Sequence, residues 1–534
     1  FGCELQFGTG GLRGILGAGT NRMNIHVVRR AAQATADVLN AAGLPRRAAI
    51  GYDSRIGSER FARETACVLA ASGIETYLYP RLEPVPALSF AVRALFCGVG
   101  ICITASHNPA QYNGFKVYGP DGCQLTPDRA AQIAKNLRSR SYFDGRKTES
   151  FASLLAAGRI RWIPDAVLDA FVDAVLTLRM GSGALSDLSV VYTPLHGSGL
   201  ECVEKLLGRL GVGRLTLVEA QKDPDGHFPT CPYPNPEIPE AMALGLACCG
   251  RVHPDLLIGT DPDCDRVAVA VPVEGSFRKL SGNELGCLLL DYILGTMQKA
   301  GTLPADPVAV RSIVSTPMAD KIAASYGVKM RRVLTGFKYI GGEILALEQK
   351  HEENRFVFGF EESCGYLKGT YARDKDAVVA SMLTCDLAAA LKREGKNLAE
   401  HMDALYSRFG WHEARVLSCE LQGPDAMEIS AGFMAQMRRE LPKAVCGIAV
   451  TSVTDYQARV TRDLVHGTEE AVTLPKSNVL VLQLGEKGTV ILRPSGTEPK
   501  VKIYLTAVDA DRAAAMKLLD DMAAEMSGYL PKNA

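Results

Sequence analysis

Four short polar loops, each directly after an apolar run, hold the residues most able to do chemistry. The first, Thr104-Ala105-Ser106-His107-Asn108-Pro109, is followed closely by Asn113-Gly114-Phe115-Lys116, so a hydroxyl, an imidazole and an ammonium share one region. A plain turn fits the same residues, because serine and asparagine are common turn and cap formers. A serine hydrolase fits less well. The G-x-S-x-G elbow is absent, and His107, adjacent to Ser106 in sequence, is poorly placed to face that hydroxyl as its base.

The second loop, Asp261-Pro262-Asp263-Cys264-Asp265-Arg266, carries carboxylates at alternate positions, which an extended turn can converge on one hard cation. Oxygen-only ligands favour magnesium or calcium. An EF-hand is excluded, since it needs glycine and glutamate where this chain has Arg266 and Pro272. A solvated acidic turn is the alternative, but apolar runs on both sides place the carboxylates near a core, where they need counter-charge. The third loop, Phe360-Glu361-Glu362-Ser363-Cys364-Gly365, offers carboxylates and a hydroxyl that suit sugar hydroxyls. In the fourth, Arg493-Pro494-Ser495-Gly496-Thr497-Glu498-Pro499-Lys500, a guanidinium, hydroxyls and glycine-freed amides suit a phosphate dianion. A glycine-rich stretch near the start, Phe7-Gly8-Thr9-Gly10-Gly11-Leu12-Arg13-Gly14, adds one arginine but does not match the P-loop pattern.

Loops of this kind bind ligands together when they leave the carboxyl ends of strands in α/β sheets. Runs reading as buried strands are Arg47 to Tyr52, Val99 to Ile103, Ser189 to Tyr192, Asp255 to Ile258, Arg355 to Phe358 and Thr489 to Leu492. Helical spacing fills the intervals, clearest over Val28 to Ala42 and Ala510 to Met526. Alternation of the two argues for α/β domains. A chain of 534 residues should hold three or four of them. Composition shifts suggest boundaries in Ser139 to Ser150, around Pro272 to Gly275, and in Gly395 to Trp411.

Charge balance narrows the function. Lysine plus arginine (59) equals aspartate plus glutamate (59), without the basic excess expected for nucleic-acid binding. The hydrophobic share of 47% is that of a folded globular chain, yet no apolar stretch reaches the length of a membrane span. No charged segment leads into an apolar signal region, and the 15 scattered cysteines form no C-x-x-C, so reduced thiols in a cytoplasmic protein are expected.

Taken together, Thr104-Ala-Ser-His-Asn-Pro, Asp261-Pro-Asp-Cys-Asp-Arg, Phe360-Glu-Glu-Ser and Arg493-Pro-Ser-Gly-Thr resemble the four ordered motifs of the alpha-D-phosphohexomutase family. Phe7-Gly-Thr-Gly-Gly-Leu-Arg-Gly and Gly336-Phe337-Lys338 extend the resemblance over nearly the whole chain. It implies four domains around a central cleft, three of similar mixed α/β topology and a smaller C-terminal α+β domain, spanning 1–163, 164–275, 276–404 and 405–534.

By the same resemblance Ser106 is a phosphoserine, and Asp261, Asp263 and Asp265 hold Mg2+ together with an oxygen on Ser106. Glu361 and Ser363 bind sugar hydroxyls, while Arg493, Ser495, Gly496 and Thr497 bind the substrate's phosphate. Arg13, His107, Lys116, Arg266 and Lys338 supply supporting charge and proton transfer. The implied partners are small-molecule sugar phosphates, with no nucleic acid and no membrane; no oligomeric state follows. The implied activity is interconversion of glucose 1-phosphate and glucose 6-phosphate through glucose 1,6-bisphosphate, which also serves as activator. Where mannomutase-like members carry Gly-Glu-Met-Ser-Gly-His, this chain has Phe360-Glu-Glu-Ser-Cys-Gly, resembling the glucose- and pentose-handling branch. A base inferred from that histidine does not carry over, leaving Lys338, Lys116 or His107. Phosphopentomutase or phosphomannomutase activity is the alternative within the family. A metal-dependent sugar phosphatase and a non-catalytic sugar-phosphate binder are the alternatives outside it.

Overall fold

The computed structural model describes residues 3–8, 10–143, 149–421, 425–494 and 500–531. It divides into two compact units, one of residues 1–311, 326–331 and 336–401, the other of 312–325, 332–335 and 402–534.

Three sheets organise the first unit. The first has the order Leu12–Ile15, Tyr112–Tyr118, Val99–Ile103, Arg47–Tyr52, Glu75–Leu78, Ile160–Trp162. Its last four strands run parallel, and the two that start it join antiparallel. Such a sheet is buried on both faces, which is why Val99-Gly-Ile-Cys-Ile is apolar throughout. A second sheet has the order Ser276–Lys279, Val267–Val273, Leu256–Thr260, Ser189–Thr193, Arg214–Leu217. It continues past Pro272 to Gly275, where Pro272 and Val273 are still paired strand residues and the turn at Glu274 and Gly275 closes a hairpin. In the third, ordered Lys329–Val333, Val308–Ser312, Phe356–Glu361, Gly365–Leu367, Val308–Ser312 pairs parallel with Phe356–Glu361.

The second unit is built on an antiparallel sheet ordered Trp411–Glu420, Lys500–Asp509, Gly488–Pro494, Leu480–Gln483, Ser452–Asp455, Val460–Asp463, Thr468–Ala471. Helices Ala426–Arg439 and Arg512–Ser527 close its core through Phe433, Met434, Leu519 and Met522.

Element ends differ from the sequence expectation where capping decides them. Helix Ile25–Ala41 starts three residues before Val28 because the Asn24 side chain accepts from the amides of His26 and Val27. Arg512–Ser527 starts after Ala510 because Asp511 caps it. Phe356–Glu361 begins after Arg355, which closes a 3-10 turn, and runs on to place Glu361 at its carboxyl end.

Candidate active site

Three of the four loops leave the carboxyl ends of strands in the first unit. Ser106 follows Val99–Ile103, Asp261 follows Leu256–Thr260, and Glu361 ends Phe356–Glu361. At the tip of each a non-glycine residue takes a left-handed backbone: Ser106 at φ 50°, Cys264 at 54° and Cys364 at 62°. That conformation costs about 1–3 kcal/mol and persists only where surroundings enforce it.

Ser106 is enforced by its own loop and by neighbours. Its amide donates to the Thr104 hydroxyl at 2.8 Å, and the amide of Asn108 donates to the Ala105 carbonyl at 3.2 Å. Behind the loop, Gly114 must lack a side chain: a Cβ there would lie 2.5 Å from the Thr104 carbonyl oxygen. The Ser106 hydroxyl then donates to Asp261 Oδ2 at 2.8 Å. His107 Nδ1 stands 3.2 Å from the same hydroxyl, which corrects the expectation that sequence adjacency keeps the imidazole from facing it. The left-handed turn at Ser106 makes the contact possible. Burial, then the charges of Arg266 and Arg13, hold the His107 imidazole well below its ordinary range, so it is neutral.

The aspartates converge. One carboxylate oxygen from each of Asp261, Asp263 and Asp265 lies within 4.8 Å of the others, and all three residues are buried. Asp261 Oδ1 accepts the amides of Asp265 at 3.1 Å and Arg266 at 2.9 Å, which fixes the turn. Asp263 Oδ2 accepts from Lys116 Nζ at 2.8 Å and from the Thr104 hydroxyl at 3.1 Å, tying this loop to the serine loop. Gly197 packs so closely that a Cβ would fall 2.5 Å from Pro262 Cα, and the Ser198 amide donates to the Pro262 carbonyl at 2.8 Å.

Asp263 Oδ1 and Asp265 Oδ1 are buried and accept no hydrogen bond from the described residues. Carboxylate oxygens in that condition, in an all-oxygen cluster, fit a hard divalent cation. Burial, reinforced by Asp263 and Asp265, raises Asp261 well above the carboxylate range. For Asp263 burial pulls upward too, but Lys116 outweighs it and leaves the group below its ordinary value. Lys116 is itself pushed up, because Asp263 and Asp265 overcome the opposing effect of burial.

Glu361 is buried, and its Oε1 accepts the amide of Gly336 at 2.6 Å, joining it to the Gly336-Phe337-Lys338 turn. Lys338 Nζ sits 5.0 Å over the Tyr339 ring. Ser363 is half-buried. Arg266 pairs with Glu237 at 2.5 Å, and Arg13 donates to the Asn108 side chain at 2.9 Å. In the second unit, Arg493 lies on Gly488–Pro494 and donates to the Tyr504 hydroxyl at 3.4 Å. Ser495, Gly496 and Thr497 lie outside the described residues.

Two groups at the site were not singled out from sequence. Lys375 Nζ pairs with Asp265 at 2.9 Å and with Asp374 at 3.1 Å. Asp374 also accepts from Gln124 at 3.0 Å and Tyr118 at 3.2 Å, so one buried carboxylate fixes the ammonium against the aspartate cluster. Burial works against the Lys375 cation, but Asp265, Asp374 and Glu361 outweigh it and raise its proton affinity. The readable signal was Arg373-Asp374-Lys375-Asp376, a charge run between the apolar stretches Gly365–Leu367 and Ala377 to Leu383. Arg55 and Asp53 follow Arg47–Tyr52, a polar segment after an apolar run just as the four loops are.

A hydroxyl and a cluster of carboxylates beyond strand ends, faced by two buried ammoniums, make up the candidate site of this α/β enzyme. Comparison with known proteins specifies which kind. The α/β/α domains I, II and III of phosphoglucomutase/phosphomannomutase match residues 4–143, 169–274 and 281–409, and the C-terminal domain matches 458–525. A phosphoglucomutase of Staphylococcus saprophyticus is 34% identical over 503 residues, covering 94% of this chain and 90% of that protein. One from Staphylococcus aureus is 36% identical over 507 residues, covering 95% and 90%. A solved phosphoglucomutase/phosphomannomutase family protein from Burkholderia thailandensis superposes with a TM-score of 0.71 at 17% identity, covering 98% of this chain and 97% of that one. The chain belongs to the phosphoglucomutase/phosphomannomutase family.

Proposed function

We propose that this chain interconverts glucose 1-phosphate and glucose 6-phosphate, carrying a phosphoryl group on Ser106 between turnovers. The observation that carries the reading is the Ser106 hydroxyl at 2.8 Å from Asp261, beside carboxylate oxygens of Asp263 and Asp265 that accept no hydrogen bond from the described residues. A serine hydroxyl is a weak nucleophile, but a phosphoserine in such a setting is a phosphoryl donor.

Mg2+ held by Asp261, Asp263 and Asp265 would supply charge stabilisation to the transferring group. In the forward half-reaction the phosphorus–oxygen bond to Ser106 breaks as one forms to a free sugar hydroxyl, and the proton of that hydroxyl passes through a base in the site to the departing Ser106 oxygen. The resulting glucose 1,6-bisphosphate turns over in the site, and its other phosphate returns to Ser106. On return the Ser106 hydroxyl gives up its proton as its oxygen bonds to phosphorus, and His107 Nδ1, 3.2 Å from that hydroxyl, is placed to accept it in the tautomer protonated at Nε2. Lys116 and Lys375 hold positive charge against the aspartates throughout.

Glu361 and Ser363 serve as the sugar-binding pair, and Arg493, Ser495, Gly496 and Thr497 as the anchor for the phosphate not in transfer. Arg13, Arg266 and Lys338 add positive charge for the substrate. Glucose suits this division because its equatorial 3- and 4-hydroxyls nearly superpose when the ring is flipped, so one carboxylate and one hydroxyl can serve both orientations. We place the reaction in the cytoplasm, with domain boundaries near residues 163, 275 and 404.

A panel of glucose, mannose and ribose 1-phosphates, with Mg2+ and glucose 1,6-bisphosphate, tests the reading. Isomer should form without free phosphate, fastest from glucose 1-phosphate. Phosphate released in step with turnover would indicate a phosphatase, and a preference of about tenfold or more for ribose 1-phosphate would move the substrate to pentoses.

A further inference from the structure

Beneath the Ser106 loop lies a fully enclosed guanidinium. Arg55 follows Arg47–Tyr52, the parallel neighbour of Val99–Ile103, so its loop and the serine loop leave one edge of the sheet together. From there Arg55 donates to the carbonyl of Ser106 at 2.5 Å, to those of Pro109 at 2.9 Å and Tyr112 at 3.1 Å, and to that of Asn108. We propose that Arg55 is a positioning residue for phosphoryl transfer, gathering these carbonyls so that Ser106 stays in the left-handed turn that aims its hydroxyl at Asp261. The proposal rests on the phosphoserine reading above.

Three features support it. Arg55 is itself immobilised: Asp53 Oδ2 lies 3.3 Å from its Nε, Asp53 Oδ1 accepts its amide at 3.0 Å and the Ser58 hydroxyl at 2.8 Å, and the Phe228 ring faces the guanidinium at 5.0 Å. A planar fork of donors reaches carbonyls in several directions at once, which a lysine ammonium on a flexible stem does not. Finally, the partial negative ends of these peptides are neutralised by a cation instead of being left to repel a phosphoryl dianion. Because the peptide is planar and trans, the His107 amide opposite the Ser106 carbonyl points away from Arg55.

The test compares the parent with Arg55→Lys and with the double variant Asp53→Asn/Arg55→Gln, which removes both buried charges together and leaves no orphan ion. Readouts are circular dichroism, the rate at which glucose 1,6-bisphosphate phosphorylates Ser106 by intact mass, and kcat and KM for glucose 1-phosphate. Both variants should fold, with phosphorylation rate and kcat down about a hundredfold or more and KM within about threefold, since the residue acts on the transferring group and not on sugar binding. A folded variant within about threefold of the parent in kcat and phosphorylation rate would overturn the proposal. Failure of both variants to fold would also overturn it, because Arg55 would then serve the fold. A parent that neither takes up phosphate nor isomerises would instead refute the mutase reading.

Discussion

Where the Ser106 and Asp261 loops meet, the carboxylates are buried and share two lysines, with Lys116 at 2.8 Å from Asp263 and Lys375 at 2.9 Å from Asp265. Arg493, on the second unit's sheet, is half-buried and reaches the Tyr504 hydroxyl at a loose 3.4 Å. Removing one member of a buried pair costs about 3–5 kcal/mol, because the partner is stranded without water. A partly exposed charged hydrogen bond is worth about 1.5–3 kcal/mol and can exchange with solvent. The first arrangement suits groups that must not move during bond exchange. The second suits the proposed role of Arg493, a grip that releases a substrate phosphate and takes it again from the other end of the sugar.

Substitutions should separate the two regions by size and kind of effect. Asp263→Asn alters the partner of Lys116 and Thr104 and one carboxylate of the proposed Mg2+ site, so kcat should fall by about a thousandfold or more and calorimetric Mg2+ binding should be lost. Wild-type kcat in this variant, or a rate indifferent to chelator in the parent, would break the comparison. Lys375→Met removes a counter-ion but leaves every aspartate in place, and kcat should fall by about a hundredfold with little change in KM. Arg493→Ala, in contrast, should raise KM about ten- to a hundredfold while Mg2+ affinity stays normal. A loss of metal binding there would contradict the division.

Glu83 is predicted to affect stability and not activity, because it is buried like the aspartates but poorly compensated. Arg81, 3.2 Å away, is shared with Asp165 and Glu201. Burial, then the charge of Glu201, pushes Glu83 up to about 8, against an ordinary 4.5. The folded state therefore holds a proton that the unfolded chain releases, and stability falls as pH rises from about 4.5 to about 8. Glu83→Gln should flatten that part of the melting-temperature profile and be the more stable protein near pH 8. Parallel profiles for the two proteins would show that Glu83 is not held neutral.

Much of this was legible in the sequence because strand-end chemistry leaves a local trace. A polar loop after Val99 to Ile103 or after Leu256 to Ile258 can be read without knowing what faces it, and alternate aspartates near a core announce a need for cations. What supplies the cations is not local. Lys375 is 110 residues from Asp265, and Arg55 is 51 residues from the carbonyl of Ser106 that it holds, so only the folded sheets bring them together. The His107 contact is not readable from adjacency for a related reason: adjacency assumes ordinary backbone, and Ser106 is left-handed. Helix starts at Asn24 and Asp511 depended on side-chain caps that periodicity does not show.

The central claim is that Ser106 stores the phosphoryl group. Incubating the protein with glucose 1,6-bisphosphate and Mg2+, then measuring intact mass and mapping the peptides, tests it most directly. One acid-stable phosphoryl group is expected on Ser106, lost on addition of glucose 1-phosphate, with Ser106→Ala unlabelled and inactive. Label on another residue, no label on an active enzyme, or full turnover by Ser106→Ala would contradict it.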